Sequence, residues 1–182
     1  MISAIDYIQL KAYARQDGFL MGCLWIFTFG CFVASMNQPE LQIGFLIGLT
    51  LTPVLAYMRL KKFRDKVRDG FISYRRAVAF GTFTMAYASV IIAAATFVYF
   101  YFFDKGQFMG MIMENASMPD FKRSFVDAGL SEKELEMQLS EIARSRPIDM
   151  AFSIFSNGLW SGIVLSLILG LFIKKKERTN NQ

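Results

Sequence analysis

Apolar positions along this chain are gathered into four long runs, and charged positions fill the gaps between them. The runs cover residues 18–36, 41–58, 77–103 and 150–173, and none contains Asp, Glu, Lys or Arg. About 20 mostly apolar residues suffice for a helix to cross a hydrocarbon core near 30 Å thick. In lipid every backbone N–H and C=O must be satisfied internally, so each run is predicted to be an α-helix. The third run, 27 residues long, extends to about 40 Å as a helix, so it must tilt or project. The first run follows seventeen residues of amphipathic sequence and lacks a small-x-small cleavage pattern, so it reads as a span rather than a signal peptide. The pattern predicts an all-α fold: a four-helix transmembrane bundle in a single integral membrane domain, 1–182, with an insertion at 104–149 between the third and fourth spans.

The insertion is too long for an ordinary hairpin loop. Ser131 and Glu134, in "SEKE", have capping-box spacing, with Leu130 and Leu135 at the staple positions. Leu135, Leu139 and Ile142 mark one apolar helical stripe, which Pro147 is expected to end. We expect this insertion to lie outside the cell and its apolar stripe to face the mouth of the bundle, as a cap or a docking surface. Within the spans, Pro53 predicts a kink, with Thr50 and Thr52 placed to satisfy the freed Leu49 carbonyl. Gly18 and Gly22, Gly44 and Gly48, and Gly158 and Gly162 followed by Ser166 and Gly170 have the spacing that lets helices approach closely. Packing inside the bundle is the favoured use of these pairs over dimerisation.

Charge orients this picture. Of 20 Lys and Arg, two precede the first span, eight lie between Arg59 and Arg76, and four follow the fourth span. The other six share the insertion with nine Asp and Glu. Positive residues near span ends favour the cytoplasmic side, so both termini and the 59–76 link are expected there. The basic link is thereby explained first as a topology determinant. Arg59, Lys62, Arg64, Arg68, Arg75 and Arg76 are candidates for contact with anionic headgroups of membrane lipids. Lys61 and Asp65, and Asp65 and Arg68, are spaced to pair on a helix, and Gly70 reads as the break that ends it. No aromatic–basic interleaving or nucleic-acid module is present.

Candidate chemistry is sparse. The chain has no histidine, the commonest acid–base catalyst and metal ligand near neutral pH. Cys23 and Cys31 lie about 12 Å apart along a helix, too far for a disulfide. No ionisable group lies inside a span, as a transporter usually requires, and no protease dyad or zinc motif occurs. No enzyme activity, cofactor or metal is expected. The remaining intramembrane polar cluster is Ser153, Ser156, Asn157 and Ser161. Asn157 there needs a partner helix or forms one wall of a small polar pocket.

The segment "FRDKVRDGFISYRRAVAFGTF" entering the third span, with Arg68, Gly70, Ile72, Ser73 and Tyr74, and "GLWSGIVLSLILGLFIKKKE" in the fourth, with Gly158, Gly162, Ser166 and Leu167, carry a resemblance. Over nearly its whole length the chain resembles the four-span bacterial family catalogued as domain of unknown function 4199, found widely in the Bacteroidetes. The resemblance implies the four-span fold and a place in the cell envelope, but no activity and no site residues. The expected function is a non-enzymatic scaffold or accessory subunit in envelope biogenesis, as a homo-oligomer or with a membrane-protein partner. The alternatives are a lipid- or polyprenyl-phosphate-handling protein using the basic link, and a transporter component.

Overall fold

The structure, a computed structural model, describes residues 4–127, 129 and 131–175. Among them are seven α-helices and no strand: α1 Ala4–Ser35, α2 Gln42–Val67, α3 Tyr74–Phe102, α4 Gln107–Ser117, α5 Pro119–Asp127, α6 Glu132–Ala143 and α7 Pro147–Ile173. A single 3-10 turn, Pro39–Leu41, joins α1 to α2. The four long helices are the predicted spans, each long and apolar enough to cross a membrane. They are longer than the apolar runs alone. The amphipathic start is continuous with the first span in α1, and α2 carries most of the basic link to Val67. Charged side chains are compatible with a helix that simply leaves the hydrocarbon, so apolarity marks the membrane slab and not the helix ends.

Two compact units are present, one formed up to Ala94 and again from Ser153 onward, the other Ala95–Phe152. In the first, large apolar side chains point outward: Phe19 is 62% exposed, Ile43 64%, Trp160 68% and Phe172 75%. Such a surface is what a lipid solvent stabilises and water does not. The interior combines large apolar side chains, among them Met21, Leu60, Phe80 and Met85, with small or polar ones such as Ala77, Ala88, Ser89, Thr84 and Ser166.

Glycines set the helix spacing. A Cβ on Gly48 would lie 2.8 Å from Thr28 Cβ, and one on Gly44 2.8 Å from Cys31 Sγ, so α1 and α2 touch backbone to side chain. Gly18 faces Tyr87 and the Thr84 carbonyl, and Gly22 faces Ile91, which seats α1 on α3. Gly158 faces Ser89, Gly162 faces Met85 and Gly170 faces Tyr74 and Val78, which seats α7 on α3. All three small-residue pairs are therefore used within the chain. The two cysteines are free, as their separation requires.

Pro53 lies inside α2, but the threonine hydroxyls do not turn to Leu49. Thr50 donates to the carbonyls of Leu46 and Ile47, and Thr52 to that of Gly48. A hydroxyl reaches back three or four residues from its own position, so Leu49 is out of range for Thr50; for Thr52 both Gly48 and Leu49 are in range, and the hydroxyl takes the Gly48 carbonyl.

In the second unit, Ser131 and Glu134 form the predicted capping box. Leu130 lies outside the described residues. Leu135 is buried, and with Leu139 it lines a small groove with Met113 and Ala116 of α4, so the apolar stripe meets a partner inside the insertion. Pro147 does not close α6. That helix ends at Ala143, with Arg144 as its C-cap, and Pro147 opens α7. Proline's fixed φ and missing N–H suit the first helical turn, whose donors are orphaned anyway. Asp104 accepts hydrogen bonds from the backbone N–H groups of Gly106 and Phe108 and from the Tyr99 hydroxyl, which turns the chain from α3 into α4.

Candidate functional sites: an interhelical cleft and a basic end

α7 turns two faces to its surroundings. Gly158, Gly162, Ser166 and Gly170 face α3. At 100° per residue, Asn157 and Ser161 then point away from that contact, and both are exposed. They line a cleft of about 630 Å³ walled by Trp25, Thr28, Phe29 and Phe32 of α1, Phe45, Leu49 and Thr52 of α2, Ile92 of α3, and Ile154 and Trp160 of α7. Trp25, Thr52 and Asn157 bring their polar atoms to this one cleft, among mostly apolar side chains.

Most of them are committed. The Trp25 indole N–H donates to Thr52 Oγ1 at 3.1 Å. The hydroxyls of Thr28, Thr52 and Ser161 donate to carbonyls of their own helices. The Asn157 amide makes no hydrogen bond to another described residue, so none of the described helices supplies the expected partner. Of the predicted cluster, Asn157 and Ser161 come together on the cleft wall. Ser153 is exposed one turn earlier, and Ser156 is half-buried off the wall.

At the other end of the same unit, the structure distributes the six predicted cations over different surroundings. Arg59 donates through Nε, at 2.7 Å, and through Nη2 to Asp17 Oδ1. The Asp17 side chain is only 5% exposed. Tyr13, Gln16, Lys62 and Lys66 join this pair around a pocket of about 160 Å³. Arg64 donates to Asp65 Oδ1 at 2.7 Å and to the Ile173 carbonyl at 3.3 Å. Neighbouring Arg64, rather than Lys61, is thus the hydrogen-bonded partner of Asp65. Arg68 and Arg76 line a second groove, of about 430 Å³, with Asp69, Phe71, Ser73 and Lys175. Arg75 is exposed in the first turn of α3. The helix break falls where expected, with Asp69 at φ 50° and Gly70 at φ 84°.

A tie follows that break. Ile72 and Lys175 exchange both backbone hydrogen bonds, at 3.1 and 3.0 Å, in an isolated antiparallel bridge. The Lys175 ammonium also stands 5.7 Å from the centre of the Phe71 ring. The α2–α3 link is thus pinned to the end of α7. Among the described residues no group of three or more His, Cys, Asp or Glu is placed to hold a metal.

A family model described as protein of unknown function, DUF4199, matches residues 16–175. The chain belongs to the DUF4199 family. The match begins one residue before Asp17 and ends on Lys175, so both ends of the DUF4199 region coincide with tertiary ties at the basic end. No curated protein and no solved structure matches the chain. Sequence reasoning missed the Asp17–Arg59 pair and the part played by Lys66. The available signal was an acidic residue directly at the edge of an apolar run, where an unpaired carboxylate is costly.

Proposed function

We propose that this DUF4199 protein is a non-enzymatic integral membrane protein that holds the apolar chain of a membrane lipid in the α1–α2–α3–α7 cleft. The observation that carries this reading is the 630 Å³ cleft with a single uncommitted amide, Asn157, on a mostly aromatic and aliphatic wall whose hydroxyls donate to their own helices. Pockets of 300–1,000 Å³ with few polar groups are the usual form of a ligand site. An apolar chain already dissolved in the bilayer reaches such a wall without crossing water, and a carbonyl or hydroxyl on it offers Asn157 a partner. The setting we propose is the bacterial inner membrane, within the cell envelope, with both termini and the basic end on the cytoplasmic side.

Native mass spectrometry of protein extracted in mild detergent tests this. The wild type should retain one lipid per chain at activation energies that strip surrounding lipid. Leu49→Trp, which places an indole in the cleft from an exposed position, should abolish that adduct. Absence of a retained lipid in the wild type, or full retention in Leu49→Trp, would contradict the reading.

A specific observation favours a second reading, an accessory or scaffold subunit. Ser153, Asn157 and Ser161 are all exposed and recur every fourth residue along α7, which offers a hydrogen-bonding row to a helix of another membrane protein or of a second copy. Cross-linking in native membranes separates the two. Loss of a cross-linked partner in Asn157→Leu but not in Leu49→Trp would favour the subunit reading.

A further inference from the structure

We infer that the pocket at the basic end of α1 and α2 is a seat for the phosphate of an anionic membrane lipid. It is a different site from the cleft and does not depend on it. On α2, Arg59, Lys62 and Lys66 are spaced three and four residues apart and so lie on one helix face. All three line the pocket, with Tyr13, Gln16 and Asp17 of α1 completing it. The charges present are three cations and one carboxylate, a net of +2.

The carboxylate does not repel an incoming anion as a free one would. Asp17 is buried and takes two N–H groups of Arg59, so its charge is spent on orienting that guanidinium. Arg59 itself remains 21% exposed and has no other hydrogen-bond partner among the described residues. Lys62 and Lys66 are exposed and have no ion-pair partner among the described residues. Three cations converging on one small concavity, with a tyrosine hydroxyl and an amide beside them, match the oxygens of a phosphate.

Position selects the lipid over a free phosphate. Asp17 directly precedes the uncharged run 18–36, and Arg59 directly follows the uncharged run 41–58. Both therefore sit where hydrocarbon gives way to headgroups, the depth of a phospholipid phosphate. A lipid held there has its chains beside the exposed apolar walls of α1 and α2, such as Phe19, Leu20 and Val54.

The test uses the full chain reconstituted in phosphatidylcholine bilayers, with a spin-labelled phosphatidylglycerol or a spin-labelled phosphatidylcholine as probe. The wild type should immobilise phosphatidylglycerol preferentially. Lys62→Gln with Lys66→Gln should lower that preference by at least about five-fold, through the loss of two charge-assisted hydrogen bonds to the phosphate. Lys61→Gln with Lys174→Gln, both exposed, removes the same charge away from the pocket and should leave most of the preference in place. Equal losses in the two double variants would assign the preference to diffuse surface charge and overturn the site. No preference in the wild type would overturn it too. Full displacement of the labelled lipid by millimolar inorganic phosphate would show a free-phosphate site and overturn the lipid assignment. These lysines are solvent-facing, so the variants keep the fold, and Leu49→Trp should leave this preference unchanged whatever it does to the cleft.

Discussion

Replacing Gly48 by alanine isolates the closest approach between α1 and α2. A Cβ at this position overlaps Thr28 Oγ1 and would stand 2.8 Å from Thr28 Cβ and 2.9 Å from Cγ2. Real Cβ atoms do not approach so near, and Thr28 is only 6% exposed and holds the Leu24 carbonyl at 2.8 Å. The side chain has no room to retreat, so the helices must separate. Forced overpacking costs about 1–3 kcal/mol. Removing a helical glycine returns about 0.5–1 kcal/mol. The net expectation is a loss of about 1–2 kcal/mol. Thr28→Ala removes two of the three overlapping atoms, so Gly48→Ala should cost about 1 kcal/mol less in that background. Equilibrium unfolding in mixed micelles, followed through Trp25 and Trp160 fluorescence, measures all four corners of the cycle. A Gly48→Ala protein as stable as the wild type, or no coupling to Thr28, would refute the packing of α1 on α2 described here.

Three further outcomes follow from other contacts. Asp17→Ala strands the Arg59 guanidinium at the hydrocarbon edge and should cost about 2–4 kcal/mol in the same unfolding assay, whereas Asp17→Leu with Arg59→Met should recover most of that loss. Gly70→Ala meets no neighbouring atom but must hold φ 84°, so it should cost about 1 kcal/mol through backbone strain alone. In the insertion, the hydrogen bonds from the Ser131 backbone N–H and hydroxyl hold the Glu134 carboxyl below the usual glutamate range. A depressed carboxyl contributes stability above its unfolded value and loses it as pH falls through the folded one. Protection factors across 131–143, corrected for the intrinsic exchange rate at each pH, should therefore fall as pH drops below the ordinary glutamate range, and Glu134→Gln should remove that dependence.

Long uncharged runs imply spans because lipid leaves the backbone no other solution, and the four spans were legible for that reason. Ser131 and Glu134 were legible as a cap because the box is local, three residues long. Gly70 was legible because few other residues accept a positive φ at a helix end. Long-range pairings were not legible. Asp17 and Arg59 are 42 residues apart, and Ile72 and Lys175 meet only because α3 and α7 run side by side. The role of Pro147 was misjudged because proline ends one helix and begins another equally well, and only the position of Arg144 as C-cap decides between them. The polar cluster on α7 was visible as a list of residues. Which of its members face the cleft depends on the glycine face that α3 claims, and that requires the neighbouring helix.

The account rests on four helices crossing a bilayer with the basic end on one side and the insertion on the other. Single-cysteine labelling in spheroplasts, in a background with Cys23→Ala and Cys31→Ala, measures this directly. Met137→Cys, on the exposed surface of α6, should react with a membrane-impermeant maleimide in intact spheroplasts, while Asp69→Cys should react only after permeabilisation. Labelling of both sites from outside, or of Asp69→Cys alone, would contradict the topology and the placement of both sites built on it.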